Sequence, residues 1–174
     1  MTSRVLVAIS TAALLAVLLA GCGGGGGASL TKQTLTFTER QNDNSTSFVD
    51  NPPKSSAASD EPTLSPGDQL TFTAEMLDSA GKDVGDLDAT CTVTATTTGS
   101  FDDSHAQCFG TADLSGGSLT LAVGGKAFGA GITRGAVVGG TGDYAGATGS
   151  FTSSDENSAD KPSQDTFQLF VPEQ

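Results

Sequence analysis

Residues 136–149 read AVVGGTGDYAGATG, in which Gly139, Gly140, Gly142, Gly146 and Gly149 gather around Tyr144, the one tyrosine of the chain. Glycine enters positive φ as readily as negative φ, because it has no Cβ to collide with the backbone. A stretch this rich in glycine can fold back tightly, with the Tyr144 ring packing as the anchor of the turn. The flanks read as strands, Gly131 to Gly139 before and Ala147 to Ser153 after, so a hairpin is predicted here. GGTGDYAG also has the look of a dinucleotide fingerprint. That motif joins a strand to a helix inside a βαβ unit, and no helical pattern follows Gly149, so the nucleotide reading is set aside.

Away from the hairpin, period-two alternation recurs along the chain, and no 3.6-residue period is found after Cys22. Gln69 to Leu77 sets Leu70, Phe72, Ala74 and Met76 against Thr71, Thr73 and Glu75. Asp88 to Thr96 sets Ala89, Cys91, Val93 and Ala95 against four threonines. Thr34 to Arg40 alternates threonines with Leu35 and Phe37. With His105 to Leu114, Ser118 to Val123 and Gln164 to Val171, eight strands are predicted. Asp78 to Lys82 and Ser115 to Gly117 carry the turn chemistry that closes hairpins. Two segments read as irregular. Gln41 to Gly67 is long, polar and holds Pro52, Pro53, Pro62 and Pro66. Ser153 to Ser163 is acidic and serine-rich, but lacks the glycine and spaced carboxylates of a calcium loop. Eight antiparallel strands make either an up-and-down barrel or a sandwich.

The 174-residue chain carries 20 acids against 8 bases, a formal net charge of −12. Scattered and few, those bases argue against a nucleic-acid partner, whose phosphates need clustered Lys and Arg. Charged residues are only 16%, and 23 glycines with no tryptophan suit a small-residue β-protein.

The first 22 residues read MTSRVLVAISTAALLAVLLAGC. Arg4 supplies a positive start, and Val5 to Leu19 is an uncharged run of signal-peptide length, short of the about 20 residues of a membrane span. Leu19-Ala20-Gly21-Cys22 resembles the bacterial lipobox. The resemblance implies that the signal helix 1–21 is removed, that Cys22 is lipidated, and that the protein sits outside the cytoplasm in the cell envelope, anchored to the membrane. An ordinary signal peptide with a chance cysteine is the other reading. Gly23 to Gly27 cannot pack but form a flexible tether, so residues 22–32 read as anchor and tether and 33–174 as the folded domain.

Cys91 and Cys108 remain. Outside the cytoplasm a leftover pair usually forms a disulfide, here closing a hairpin of suitable spacing, and two free buried thiols are the alternative. His105 is the only histidine, and one His with two Cys lacks zinc-site spacing. No metal and no cofactor are expected.

The glycine hairpin is similar to the signature of the dirigent and allene oxide cyclase superfamily, a strand entering GGTG-x-[FY]-x-GA-x-G. Gly67-Asp68 before the second strand, Gly81 and Gly85 around the third, a strand pair ending at Gly124 and a first strand TLTFTERQNDNS match in place, over about residues 33–171. The resemblance implies an eight-stranded antiparallel barrel with a mostly apolar cavity. It leaves oligomerisation open, plant members being trimers. Where the plant cyclase projects a carboxylate and an amide from its first strand, this chain has Thr36 and Thr38, which makes them the positions matched to catalysis. Threonine hydroxyls hydrogen-bond but carry no charge. The cavity cysteine of the family falls at Cys91. Bacterial members include pericyclic cyclases that work largely by shape.

Three functions follow as expectations. The first is a membrane-anchored, non-catalytic barrel binding a small hydrophobic ligand. The second is an isomerase or cyclase acting by substrate confinement. The third is a structural or surface-interaction lipoprotein with a filled barrel. Small inward residues leave space, which favours a cavity.

Overall fold

Period-two alternation becomes eight antiparallel strands: β1 Leu30–Val49, β2 Gln69–Leu77, β3 Asp83–Ala95, β4 His105–Leu114, β5 Gly117–Gly125, β6 Gly131–Gly140, β7 Thr148–Asp155 and β8 Gln164–Pro172. The computed structural model describes residues 29–52, 63–126, 131–155 and 162–173. Each strand pairs with the next and β8 returns to β1, closing a barrel in which no strand is left as a bare edge. The signal peptide 1–21, Cys22 and the tether up to residue 28 lie outside the described residues.

β1 is longer than expected at both ends. Leu30, Thr31 and Lys32 already pair with Pro172, Val171 and Phe170, so the strand begins ahead of residue 33. At its other end, Thr46 to Val49 pair with Phe72 to Gln69. The first part of the segment read as a loop from Gln41 is therefore strand. The register slips between Gln41 and Thr46, an irregularity that bends one strand so that it can serve two neighbours, β8 first and β2 afterwards. Closure of the ladder holds this polar stretch, and side-chain alternation does not reveal it.

The barrel has two unlike ends. Turns at 78–82, 115–116 and 141–147 join strands at one end, where Leu30 and Pro172 also meet. The connections 50–68, 96–104, 126–130 and 156–163 join them at the other. At the tight-turn end the glycine hairpin seats against its neighbour: Thr141 N–H donates to Ser118 O at 2.8 Å and Asp143 N–H to Gly116 O at 2.8 Å. Gly142 has φ +58, and a Cβ there would lie 2.3 Å from Gly116 O. Gly146 is also at positive φ, whereas Gly139, Gly140 and Gly149 are not. Gly140 and Gly149 are small for another reason, since a Cβ would meet Tyr144 O at 2.4 Å or Gln168 O at 2.0 Å. Tyr144 packs half-buried against the core, as the anchor of the turn.

That core fills the tight-turn half. Met76, Leu119, Phe167 and Leu169 are fully buried, with Leu87, Leu121, Val137 and Phe151 around them. Burying each such side chain contributes about 1.5–3 kcal/mol.

Candidate functional site

Directly paired residues across antiparallel strands share a face, and neighbours along a strand alternate between faces. Leu35 pairs with Phe167, and Phe37 with Asp165, all on the inward face. Thr36, paired with Thr166, therefore points outward and is exposed, and Thr38 shares its side. The two positions matched to the cyclase's polar pair do not reach the interior. Their neighbours Leu35 and Phe37 take the inward places because burying apolar surface outweighs burying a hydroxyl.

Cys91 and Cys108 are directly paired in the β3–β4 ladder and joined by a disulfide, Cα to Cα 3.9 Å. Both are buried and form an inward cluster with Ala106, against which Leu70, Phe72 and Val123 pack half-buried. The sulfur at Cys91 is thus part of the wall and offers no thiol.

The loop-end half of the interior holds the polar groups. On β8, Asp165 has the same parity as Phe167, Leu169 and Val171, and its carboxylate is completely buried. Across the β7–β8 ladder it faces Ser153, which is 5% exposed. The Ser153 hydroxyl has no hydrogen-bond partner among the described residues, and Thr133 stands beside it on β6. Three aromatic rings adjoin the pair, Phe37 on β1 beside Asp165, and Phe151 and Phe167 one step deeper. Phe151 and Phe167 are tilted at 5.1 Å between centroids, and Phe37 meets Phe167 edge-on at 5.9 Å. Polar and aromatic side chains thus share the inward face of β1, β7 and β8, and the half-buried Leu70, Phe72 and Val123 belong to the inward face of β2 to β5. Periodicity pointed to none of these as site residues, yet the signal was present: one acid stands in the apolar register of β8.

The rim is ordered by hydrogen bonds to two carboxylates. Asp68, fully buried before β2, accepts from Asn51 N–H at 2.9 Å, Ser65 N–H at 2.6 Å and Ser65 Oγ at 3.1 Å. Its own carbonyl accepts from Val93 N–H. Asp103 gathers Thr96, Thr97, Thr98 and Ser100 in the β3–β4 connection. The Thr97 hydroxyl foremost, then Thr98 and Thr96, holds the Asp103 carboxyl well below its usual range, against an opposing effect of desolvation.

A concavity of 400 Å³ lies on the outer face of β2 to β5. Thr71, Thr73, Asp88, Thr90 and Thr111 line it together with Phe109, so it is hydroxyl-rich where the interior is apolar. Among the described residues no group of three or more His, Cys, Asp and Glu could hold a metal ion.

No family model matches the chain, and no curated protein does. Solved structures do. A pyocyanin demethylase is 23% identical, with TM-score 0.63, over 79% of this chain and 99% of its own. A pterocarpan synthase dirigent protein is 17% identical, with TM-score 0.59, over 84% of this chain and 92% of its own. A Diels–Alderase from Streptomyces koyangensis is 17% identical, with TM-score 0.53, over 86% of this chain and 71% of its own. At such identities the likeness is one of fold, the eight-stranded antiparallel barrel.

Proposed function

We propose that the chain is an envelope lipoprotein, anchored through Cys22, whose barrel holds a small hydrophobic ligand in its loop-end chamber. The observation carrying this is the mixed inner face of the loop-end half: Leu70, Phe72 and Val123 are only half-buried, and Ser153, Thr133 and Asp165 share that face with the rings of Phe37, Phe151 and Phe167. Ligand sites are commonly of this type, apolar with a few convergent polar groups. The LAGC run and the glycine tether support the anchor. Titration with Nile red, a neutral apolar dye, should saturate, and Phe72→Trp should weaken it about tenfold by filling the chamber. An unsaturable signal would leave the filled, structural barrel in its place.

Catalysis is the second reading, favoured by Asp165. A carboxylate set among apolar walls is the type of group that acid–base chemistry recruits. The barrels similar in fold are named for demethylation, pterocarpan synthesis and a Diels–Alder reaction, so the fold alone does not select a reaction. A fatty-acid allene oxide generated in the presence of the protein should cyclise to racemic product, because the positions matched to the plant cyclase's carboxylate and amide are the outward, uncharged Thr36 and Thr38. Strong enantiomeric enrichment would move the cyclase reading to first place.

A further inference from the structure

We infer that the concavity on the outer face of β2 to β5 is a saccharide site, shaped for a neutral pyranose with equatorial hydroxyls that lays its C–H face on Phe109. The site lies outside the barrel, so the inference depends neither on the interior chamber nor on the anchor.

The ladder sets out the lining. Thr90 and Phe109 are directly paired across β3 and β4, and in the next outward row Thr73, Asp88, Thr111 and Thr120 are paired across β2 to β5. Neighbouring strands lie about 4.8 Å apart, so that row presents four polar side chains within about 14 Å. Asp88 is exposed, and its Oδ1 accepts from Thr73 Oγ1 at 2.5 Å, which leaves Oδ2 to accept from a ligand. Phe109 is 55% exposed, a large apolar surface held at the edge of the hydroxyls. The 400 Å³ of the concavity falls within the size range of small-molecule sites.

This lining selects among ligand classes. An apolar molecule would strip water from the threonines and Asp88 without replacing their hydrogen bonds. An anion would meet Asp88 with no Lys or Arg in the lining to offset it. A peptide strand needs an open sheet edge, which the closed barrel does not offer. A quaternary cation can rest on Phe109 near Asp88, but it has no hydrogen for the threonines to accept. A sugar hydroxyl both donates and accepts, so it can donate to Asp88 and exchange bonds with Thr90 and Thr111. With the hydroxyls equatorial, a ring face presents C–H bonds, whose slight positive charge suits the negative face of the Phe109 ring.

The test titrates cellobiose, sorbitol, glucuronate and choline into the isotope-labelled, detergent-solubilised full chain and follows the backbone amide shifts. Cellobiose should saturate in the millimolar range, shifting Thr90, Phe109 and Thr111, and bind at least about fivefold more tightly than the other three. Sorbitol has the hydroxyls without the ring face, and glucuronate adds the charge. Phe109→Ala should weaken cellobiose at least about fivefold, and Phe109→Tyr should stay within about twofold of wild type. Asp88→Asn should weaken it severalfold. Phe170→Ala removes a ring that is 44% exposed on β8 and should change nothing. If a variant loses its cooperative melt, the wild-type ranking of the four probes and the position of the shifts carry the test. Nile red uptake should be the same with and without cellobiose, so failure of the interior chamber and failure of this site are read separately. No saturation by cellobiose, equal affinity for glucuronate or choline, equal losses in Phe109→Ala and Phe170→Ala, or competition with Nile red would each overturn the inference.

Discussion

Cys91 and Cys108 face each other across the β3–β4 ladder, their Cα atoms 3.9 Å apart, with their disulfide built into the inner wall. The bond closes a loop with a sequence separation of 17 residues. In the chain-entropy account such a loop contributes about 3 kcal/mol by restricting the unfolded state. The double variant Cys91→Ala, Cys108→Ala should therefore melt lower by on the order of 10 °C. The denatured wild type should show no titratable thiol at these two positions without reductant. Two thiols appearing there would refute the bridge.

The glycine hairpin allows a paired comparison. Gly142 combines φ +58 with a Cβ position 2.3 Å from Gly116 O, whereas a Cβ on Gly139 would meet nothing within 4 Å. Gly142→Ala should cost about 2 kcal/mol or more from backbone strain and collision. Gly139→Ala should stay within about 0.5 kcal/mol of wild type, with any change toward stability. Urea midpoints of the two variants check this. Equal losses would mean that the two turns do not press together as described.

Asp103 gives a pH dependence with a definite sign. Its carboxyl is held below the usual 3.8 in the folded chain, chiefly by the Thr97 hydroxyl. The charged form is thus favoured by folding, and the stabilisation is complete above the unfolded value near 3.8. It is lost as pH falls through that value toward the lower folded one. Asp103→Asn should be less stable than wild type at pH 7, with the gap narrowing between about pH 5 and 2. Solvent reaches this carboxyl, so salt should shrink the gap further. A gap that holds constant down to pH 2 would show that the charge is not what the loop uses.

The anchor is tested by Cys22→Ser. Without the thiol no lipid can be attached, and the protein should leave the membrane fraction or accumulate with its signal segment uncut. One acyl chain gives only marginal attachment and two give stable attachment. Unchanged fractionation would remove the anchor from the proposal.

Legibility in the sequence followed the physics of each segment. β2 and β4 have strict alternation and run from Gln69 to Leu77 and from His105 to Leu114, as the pattern indicates. From Gln41 to Ser47 β1 is polar at every position, so nothing in those letters distinguishes a strand from a loop. Its pairing with β2 runs across the 50–68 connection, a long-range condition that no local window contains. The interior site was half legible. Parity along β8 sets Asp165 among Phe167, Leu169 and Val171, and parity along β1 turns Leu35 and Phe37 inward and Thr36 outward. That Ser153 would meet Asp165 depends on the β7–β8 register, which one sequence does not specify.

Leu30 enters the barrel beside Pro172 and the 141–147 turn, at the opposite end from Asp165 and Ser153. Whatever precedes Leu30 reaches the domain from behind. With lipid on Cys22, the attachment would lie at the base of the barrel, and the loop end with Asp165 and Ser153 would be the part of the domain farthest along the chain path from the bilayer. A flexible glycine tether would then limit how far that end ranges from the membrane without fixing its pose.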